Sequence, residues 1–309
     1  METVLAKNVT MRTFALKVMS IVREPVILAR EAIQRAPKLF GVKTGVPGLD
    51  ELFWITEIDE RTGKPVKRVL GGYPFGGVIN ITGVPDTGKS LMVEQFAVTQ
   101  ASEGWPVVFV TVESPAEYVA RGLELRARAL GIDWSEINDK IAIIDVASND
   151  TLRENTKELT KVISDTVKMF KPHPAKSVVI DSITGLFEHM EVMARKIVRI
   201  LFNTMKELRV TALFVSQKRS SHEEESAEAA GGLAIAHIVD GTIVLSKRLI
   251  NQKWESQTFR LPLGSVFRTI RIDGCRLSGH DTDTHALRIT DLGIVEVGPS
   301  LAEYIEKGW

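Results

Sequence analysis

Five short apolar runs punctuate the middle of the chain: residues 77–82, 107–112, 141–145, 178–181 and 211–217. They are rich in Val and Ile and do not alternate with polar residues. Such runs read as strands buried on both faces. Between them lie stretches with apolar residues at helical spacing. Leu91 to Ala97 is followed by a stop at Gly104. Ser114 and Glu117 have the spacing of a capping box with Pro115 at the first helical position, opening a helix that runs to about Leu130 and stops at Gly131. Leu152, Leu159, Ile163, Val167 and Phe170 predict one helix over 151–170, and a long helix is expected from Phe187 to Leu208. Apolar strands alternating with helices predict an α/β fold, with a mostly parallel sheet flanked by helices. After Gly241 the runs shorten to 242–246, 267–272, 287–289 and 294–297. Turn residues separate them, so antiparallel C-terminal strands are expected.

Two segments depart from that pattern. Residues 1–45 carry four Lys and four Arg against three Glu. Broken helical periodicity on either side of Pro25 predicts two short amphipathic helices. Residues 1–40 are therefore expected to be a basic helical extension of a domain spanning 41–309. The extension reads either as a docking arm for an acidic surface or as a segment laying its apolar stripe on the main domain or a neighbouring subunit. The second is preferred, because basic amphipathic helices are usually just solvated on one face. Residues 54–70 are charged, and the flanks of Gly63 are expected to pair as a hairpin insertion.

Gly83-Val84-Pro85-Asp86-Thr87-Gly88-Lys89-Ser90 fits G-x-x-x-x-G-K-S, a phosphate-binding loop, and it sits between a predicted strand and a predicted helix. Backbone N–H groups and the helix dipole converge there on one point that suits a polyphosphate. Gly83 and Gly88 allow close approach, Lys89 reaches the terminal phosphates, and the Ser90 hydroxyl is a ligand for Mg²⁺. Asp181, after three apolar strand residues, is the expected second Mg²⁺ ligand, acting through water. In parallel sheets ligands bind at the carboxyl ends of strands, where Glu113, Asp181 and Gln217 all fall. Glu113 is the candidate base that orients the attacking water. Gln217 reads either as a sensor of the γ-phosphate or as a surface amide.

Composition narrows the rest. Lys plus Arg (39) equal Asp plus Glu (39), so no global field selects nucleic acid. The single cysteine, Cys275, excludes an internal disulfide framework and a multi-cysteine metal site. No apolar run approaches the ~18–20 residues that span a bilayer. Lys17, Arg23 and Glu24 interrupt any apolar signal core. A soluble, cytoplasmic protein is expected. Residues 218–230 hold two basic and four acidic residues, unlike a loop that grips nucleic acid, so nucleic acid is not the expected partner.

Several stretches together resemble the KaiC-like branch of the RecA/RadA ATPases. They are Thr44 to Asp50 (TGVPGLD), Gly71 to Gly76 (GGYPFG), Asp181 to Phe187 (DSITGLF) and Ile289 to Ile294 (ITDLGI), with the phosphate loop between them. The resemblance covers about residues 40–298. It implies a RecA-like P-loop NTPase core that binds ATP with Mg²⁺. It also implies a homo-oligomer, usually a hexameric ring, with nucleotides held between subunits. Residues 83–91, through Leu91, then bind nucleotide with Gln217. Lys89 and Glu113 carry the hydrolysis. The family commonly has two adjacent glutamates where this chain has Glu113-Ser114, so slow hydrolysis is expected. A late-strand Lys-x-Arg element of the family matches Gly274-Cys275-Arg276, without the lysine. Arg276 is the candidate finger for a neighbour's site or an ordinary strand-end arginine. The expected function is an ATPase that couples slow hydrolysis to assembly or to an unidentified protein partner. The alternatives are a non-hydrolysing ATP-binding assembly module, like the accessory proteins of archaeal motility machines, and a RadA-like DNA-binding recombination ATPase.

Overall fold

The computed structural model describes residues 26–187, 191–218 and 235–309. The chain divides into two units, residues 1–38 and 39–309. In the first unit the described part holds one helix, α1 (Ala29–Arg35), none of whose residues is buried. The first expected helix and Pro25 lie outside the described residues, as do residues 219–230 of the polar loop.

In the second unit β1 (Gly41–Val42), β2 (Phe53–Ile58), β3 (Pro65–Val69) and β4 (Tyr73–Pro74) precede β5 (Val78–Gly83). Helices and strands then alternate: α2 (Lys89–Ser102), β6 (Val107–Thr111), α3 (Ala116–Ala129), α4 (Trp134–Ile137), β7 (Ile141–Asp145), α5 (Asp150–Glu154), α6 (Thr156–Met169), β8 (Ser177–Asp181), α7 (Ala194–Leu208) and β9 (Thr211–Gln217). The chain closes with β10 (Gly241–Leu249), α8 (Lys253–Phe259), β11 (Val266–Cys275), β12 (Gly279–His280), β13 (Thr284–Ile289), β14 (Val295–Ser300) and α9 (Leu301–Lys307).

The main sheet has the order β14-β13-β11-β10-β5-β9-β8-β6-β7. From β10 to β7 every pair is parallel; β11, β13 and β14 continue it antiparallel. This is the expected α/β class. Alternate residues of each parallel strand feed two cores, which is why those strands are apolar throughout. Ile79, Ile81, Phe109, Val179 and Leu213 face the core shared with α2 and α3. Val78, Val108, Val110, Ile180 and Phe214 face the core shared with α6 and α7. Around Gly63, β2 and β3 pair antiparallel with Trp54 opposite Val69, and Asp59 closes the turn by accepting the N–H groups of Arg61 and Thr62.

Three local expectations need correction. The helix expected from Phe187 begins at Ala194. Ahead of the expected start, Ile183–Leu186 makes a tight turn, and the Thr184 hydroxyl accepts the backbone N–H of Gln217, which pulls this turn over the end of β9. The Ser114–Glu117 capping box does not form. Pro115 takes the cap position, and Asp145 of the adjacent strand accepts the first free helix N–H, that of Ala116, at 3.0 Å. A carboxylate is the stronger acceptor there. The helix expected over 151–170 is split at Asn155, whose side chain accepts the Glu158 N–H and starts α6 afresh.

The TGVPGLD stretch is wedged between α2 and β14. Asp50 accepts the N–H and hydroxyl of Thr44 at 2.8 and 2.6 Å, and Pro47 accepts the Val297 N–H. A Cβ on Gly45 would come within 2.6 Å of the Gln95 carbonyl, so this approach requires glycine. The fully buried Gln95 side chain ties three elements together. It donates to the carbonyls of Gly45 (2.8 Å) and Val295 (3.1 Å) and accepts the Val295 N–H (2.6 Å). Gln95→Leu keeps the volume and orphans three buried backbone groups. We expect a loss of about 2–4 kcal/mol in denaturant unfolding; a loss under ~0.5 kcal/mol would mean that Gln95 is not the joint.

Candidate functional site

The turn between β5 and α2 carries the phosphate-loop residues. Gly88 caps α2 with φ +100°, a left-handed conformation that glycine adopts without strain. The Thr87 hydroxyl and the Lys89 ammonium both donate to the Val84 carbonyl, at 2.9 and 2.8 Å, so the loop is closed around its own lysine. Lys89 is buried, and burial pushes its pKa down to about 8 against the attraction of Asp181 and Glu113. Pro85 and Asp86 form the exposed apex, Asp86 with φ +63°, and Leu91 sits in the first turn of α2.

The register brings the other candidates to the same sheet edge. Gly83 pairs with Gln217, and Thr111, two residues before Glu113, pairs with Asp181. Ser90 and Asp181 line the same cleft, and the Ser90 hydroxyl favours the Asp181 charge, so both expected metal ligands meet at the foot of the loop. Burial pushes Asp181 up to about 6, and the Glu113 charge adds to it. Two adjacent oxygen donors are the usual protein share of a Mg²⁺ shell completed by phosphate and water, so these residues fit that ion. Glu113 is held from two sides: the Ser182 hydroxyl donates to it at 2.6 Å and the Gln217 amide at 2.9 and 3.1 Å. Between these groups lies a cleft of about 170 Å³ lined by Ser90, Glu94, Thr111, Glu113, Tyr118 and Asp181.

Arg276 is not brought to this edge. It follows β11 directly, and the last residue of that strand, Cys275, pairs with Gly241; Gly241 in turn pairs with Ile79 near the start of β5, roughly 13 Å along the strand from Gly83. Its guanidinium donates to the His237 carbonyl at 2.9 Å. Sequence reasoning also missed several residues. Ser182 and Thr184 lie inside the quoted DSITGLF stretch, where their hydroxyls were the available signal. Glu94 and Arg126 form a buried ion pair at 3.3 Å beneath the cleft, and Arg126 also bonds the carbonyls of Leu292 and Gly293. Lys247 and Arg268 reach Asp86 from β10 and β11. No local motif announces a pair that depends on strand register. Among the described residues no cluster of three or more His, Cys, Asp or Glu could hold a metal alone, and no helix is long and apolar enough to cross a membrane.

A model of the KaiC ATPase family matches residues 42–302. The chain belongs to the KaiC family of ATPases. Among its relatives, a UPF0273 protein of Thermotoga maritima is 29% identical, covering 82% of this chain and 94% of that one. A UPF0273 protein of Methanopyrus kandleri is 28% identical, covering 86% and 95%. A crystal structure of a KaiC-like protein from Pyrococcus horikoshii superposes with a TM-score of 0.62 at 25% identity, covering 85% of this chain and all of that one. The KaiC match begins at Val42, so the basic N-terminal segment lies outside it.

Burial gives this KaiC-family site an electrostatic signature. Asp181 is raised to about 6, and Glu94 to about 7 by burial, only partly offset by Arg126. A carboxyl whose pKa is higher in the folded than in the unfolded chain contributes stability below about pH 4 that is lost as pH climbs through the folded value. The protein without nucleotide should therefore lose stability between about pH 4 and 7. Asp181→Asn should raise its unfolding free energy by about 1–3 kcal/mol at pH 8 and change it little at pH 4. Equal shifts at both pH values in denaturant titrations would contradict this origin.

Proposed function

We propose that this KaiC-family protein binds ATP with Mg²⁺ and hydrolyses it slowly, coupling nucleotide state to assembly or partner binding. The observation that carries the reading is the Glu113 carboxylate, fixed by Ser182 and Gln217 at the strand edge beside the phosphate loop. A carboxylate held in this way suits a group that orients a water toward a terminal phosphate. The backbone N–H groups of residues 83–91 cradle the polyphosphate. Lys89 gives up its bond to Val84 to reach it. Ser90 and, through water, Asp181 would hold Mg²⁺, which would supply charge neutralisation to the phosphates. Gln217 touches both Glu113 and, through its backbone, Thr184, so loss of a γ-phosphate has a route to the segment after β9. Slow turnover rests on Ser114 in place of a second glutamate. Arg276 serves, if any site, that of another subunit in a hexameric ring.

A second reading, nucleic-acid binding, has one observation in its favour. Arg195, Lys196 and Arg199 at the start of α7 surround a recess with His237, close to the Arg276 guanidinium. A basic cluster suits phosphate backbones. The zero net charge of the chain weighs against it.

Phosphate release and solution mass, each with and without ATP–Mg²⁺, test the ATPase reading. Glu113→Gln should keep nucleotide affinity and lower turnover by about 10²–10⁴-fold. Lys89→Ala should lose binding. Mass should rise with ATP. Equal turnover in wild type and Glu113→Gln would remove the catalytic role. Binding without turnover in the wild type would favour the assembly-module alternative.

A further inference from the structure

A phosphate loop gathers positive potential, yet this one carries an acid at its apex. The Asp86 side chain is 70% exposed and meets two cations from the neighbouring strands. Lys247 of β10 and Arg268 of β11 stand directly opposite each other in the antiparallel register, so their side chains leave the same face of the sheet. The Lys247 ammonium lies 3.3 Å from Asp86 Oδ2, and Arg268 Nη2 lies 3.1 Å from the same oxygen. Arg268 Nε also donates to the Asp86 carbonyl at 3.2 Å. The cations are the more buried partners, 30% and 20% exposed.

We infer that Lys247 and Arg268 are a second cationic grip for the polyphosphate of the nucleotide, and that the Asp86 carboxylate is an internal competitor for them. The inference rests on the nucleotide reading above and adds residues outside the phosphate-loop motif. Three features carry it. Two cations serve one carboxylate, which leaves an excess positive charge at the loop. Both bond a single carboxylate oxygen at distances longer than the ~2.7–2.9 Å of well-made charge-assisted bonds, so the clasp is open to exchange. And Lys247 lies near enough to Lys89 to disfavour its charge, so the grip faces the lysine that meets phosphate. A triphosphate offers these cations several more negative oxygens than one aspartate does. Binding then exchanges the Asp86 bonds for phosphate bonds.

A clasp that only holds the loop in shape predicts the opposite sign for one variant, and this makes the inference testable. ATP–Mg²⁺ affinity is measured on the full chain by displacement of a fluorescent ATP analogue. Asp86→Asn removes the competitor while keeping a residue that tolerates positive φ. It should tighten ATP by about 3–10-fold. Lys247→Gln and Arg268→Gln should each weaken it, Arg268→Gln by about tenfold. In the Lys247→Gln/Arg268→Gln background the gain from Asp86→Asn should vanish. A clasp that merely shapes the loop would make Asp86→Asn weaker or neutral, and that result overturns the inference. A gain that persists without the two cations means that Asp86 simply repels phosphate, and it overturns the inference equally. A wild type that binds no ATP removes the nucleotide reading and this inference together. Asp86 is exposed, so Asp86→Asn folds, and a loss or no change in its affinity overturns the inference even should a cation variant be unstable.

Discussion

The candidate site depends on β5 being buried in the sheet with a parallel neighbour on each side. Every residue of this strand is buried, with β9 on one side and β10 on the other. Parallel pairing brings the carboxyl ends of β5, β9, β8 and β6 to one edge, so Gly83, Gln217, Asp181 and Glu113 meet although they are spread over 135 positions of sequence. The other end of the strand is pinned as well. Asp240 accepts the Val78 N–H and pairs with Lys206 at 2.8 Å, and Lys206 also bonds the Gly76 carbonyl. The strand therefore cannot slide without breaking a half-buried ion pair, and the loop that follows it inherits a fixed starting point.

Much of this was legible in the sequence, for a physical reason. Strands covered on both faces must be apolar at every position, and that signal survives without any knowledge of the partners. The ends of β7 and β9 could be read to the residue because a polar group, Asp145 or Gln217, must appear where the strand meets solvent. The failures were of another kind. Asp145 caps α3 from a different strand, 29 residues away, so the local Ser114–Glu117 spacing lost to an acceptor that no window contains. Thr184 accepts the backbone N–H of Gln217 at the tip of β9 from 33 residues away, a contact that no local pattern carries. Lys247 and Arg268 converge through register alone. Side chains fixed by tertiary pairing leave no periodic trace.

The site also runs against stability. Lys89, Asp181 and Glu94 are ionisable groups in a region where burial disfavours their charged forms. Their partial partners, Ser90, Arg126 and the Val84 carbonyl, leave each short of full compensation. Such under-compensated groups are what an incoming polyphosphate and divalent cation would satisfy, because the anion answers the lysine and the cation answers the aspartate. Rigid surroundings, the Gln95 joint among them, keep these groups from relaxing away from one another.

Opposite placement of the loop and Arg276 constrains how copies of the chain can meet. Gly83 and Arg276 lie at the two ends of the same three strands, β5, β10 and β11. If Arg276 completes a site, it must complete that of a different copy. A two-fold dimer presents the same patch from both partners; a contact from the Arg276 end of one copy to the loop end of the next is head-to-tail. Such a contact leaves a free loop at one end and a free arginine at the other, so it repeats until a rotation closes it. A closed ring is the arrangement in which every site would then have both halves, whereas an open filament would leave one half-site at each end.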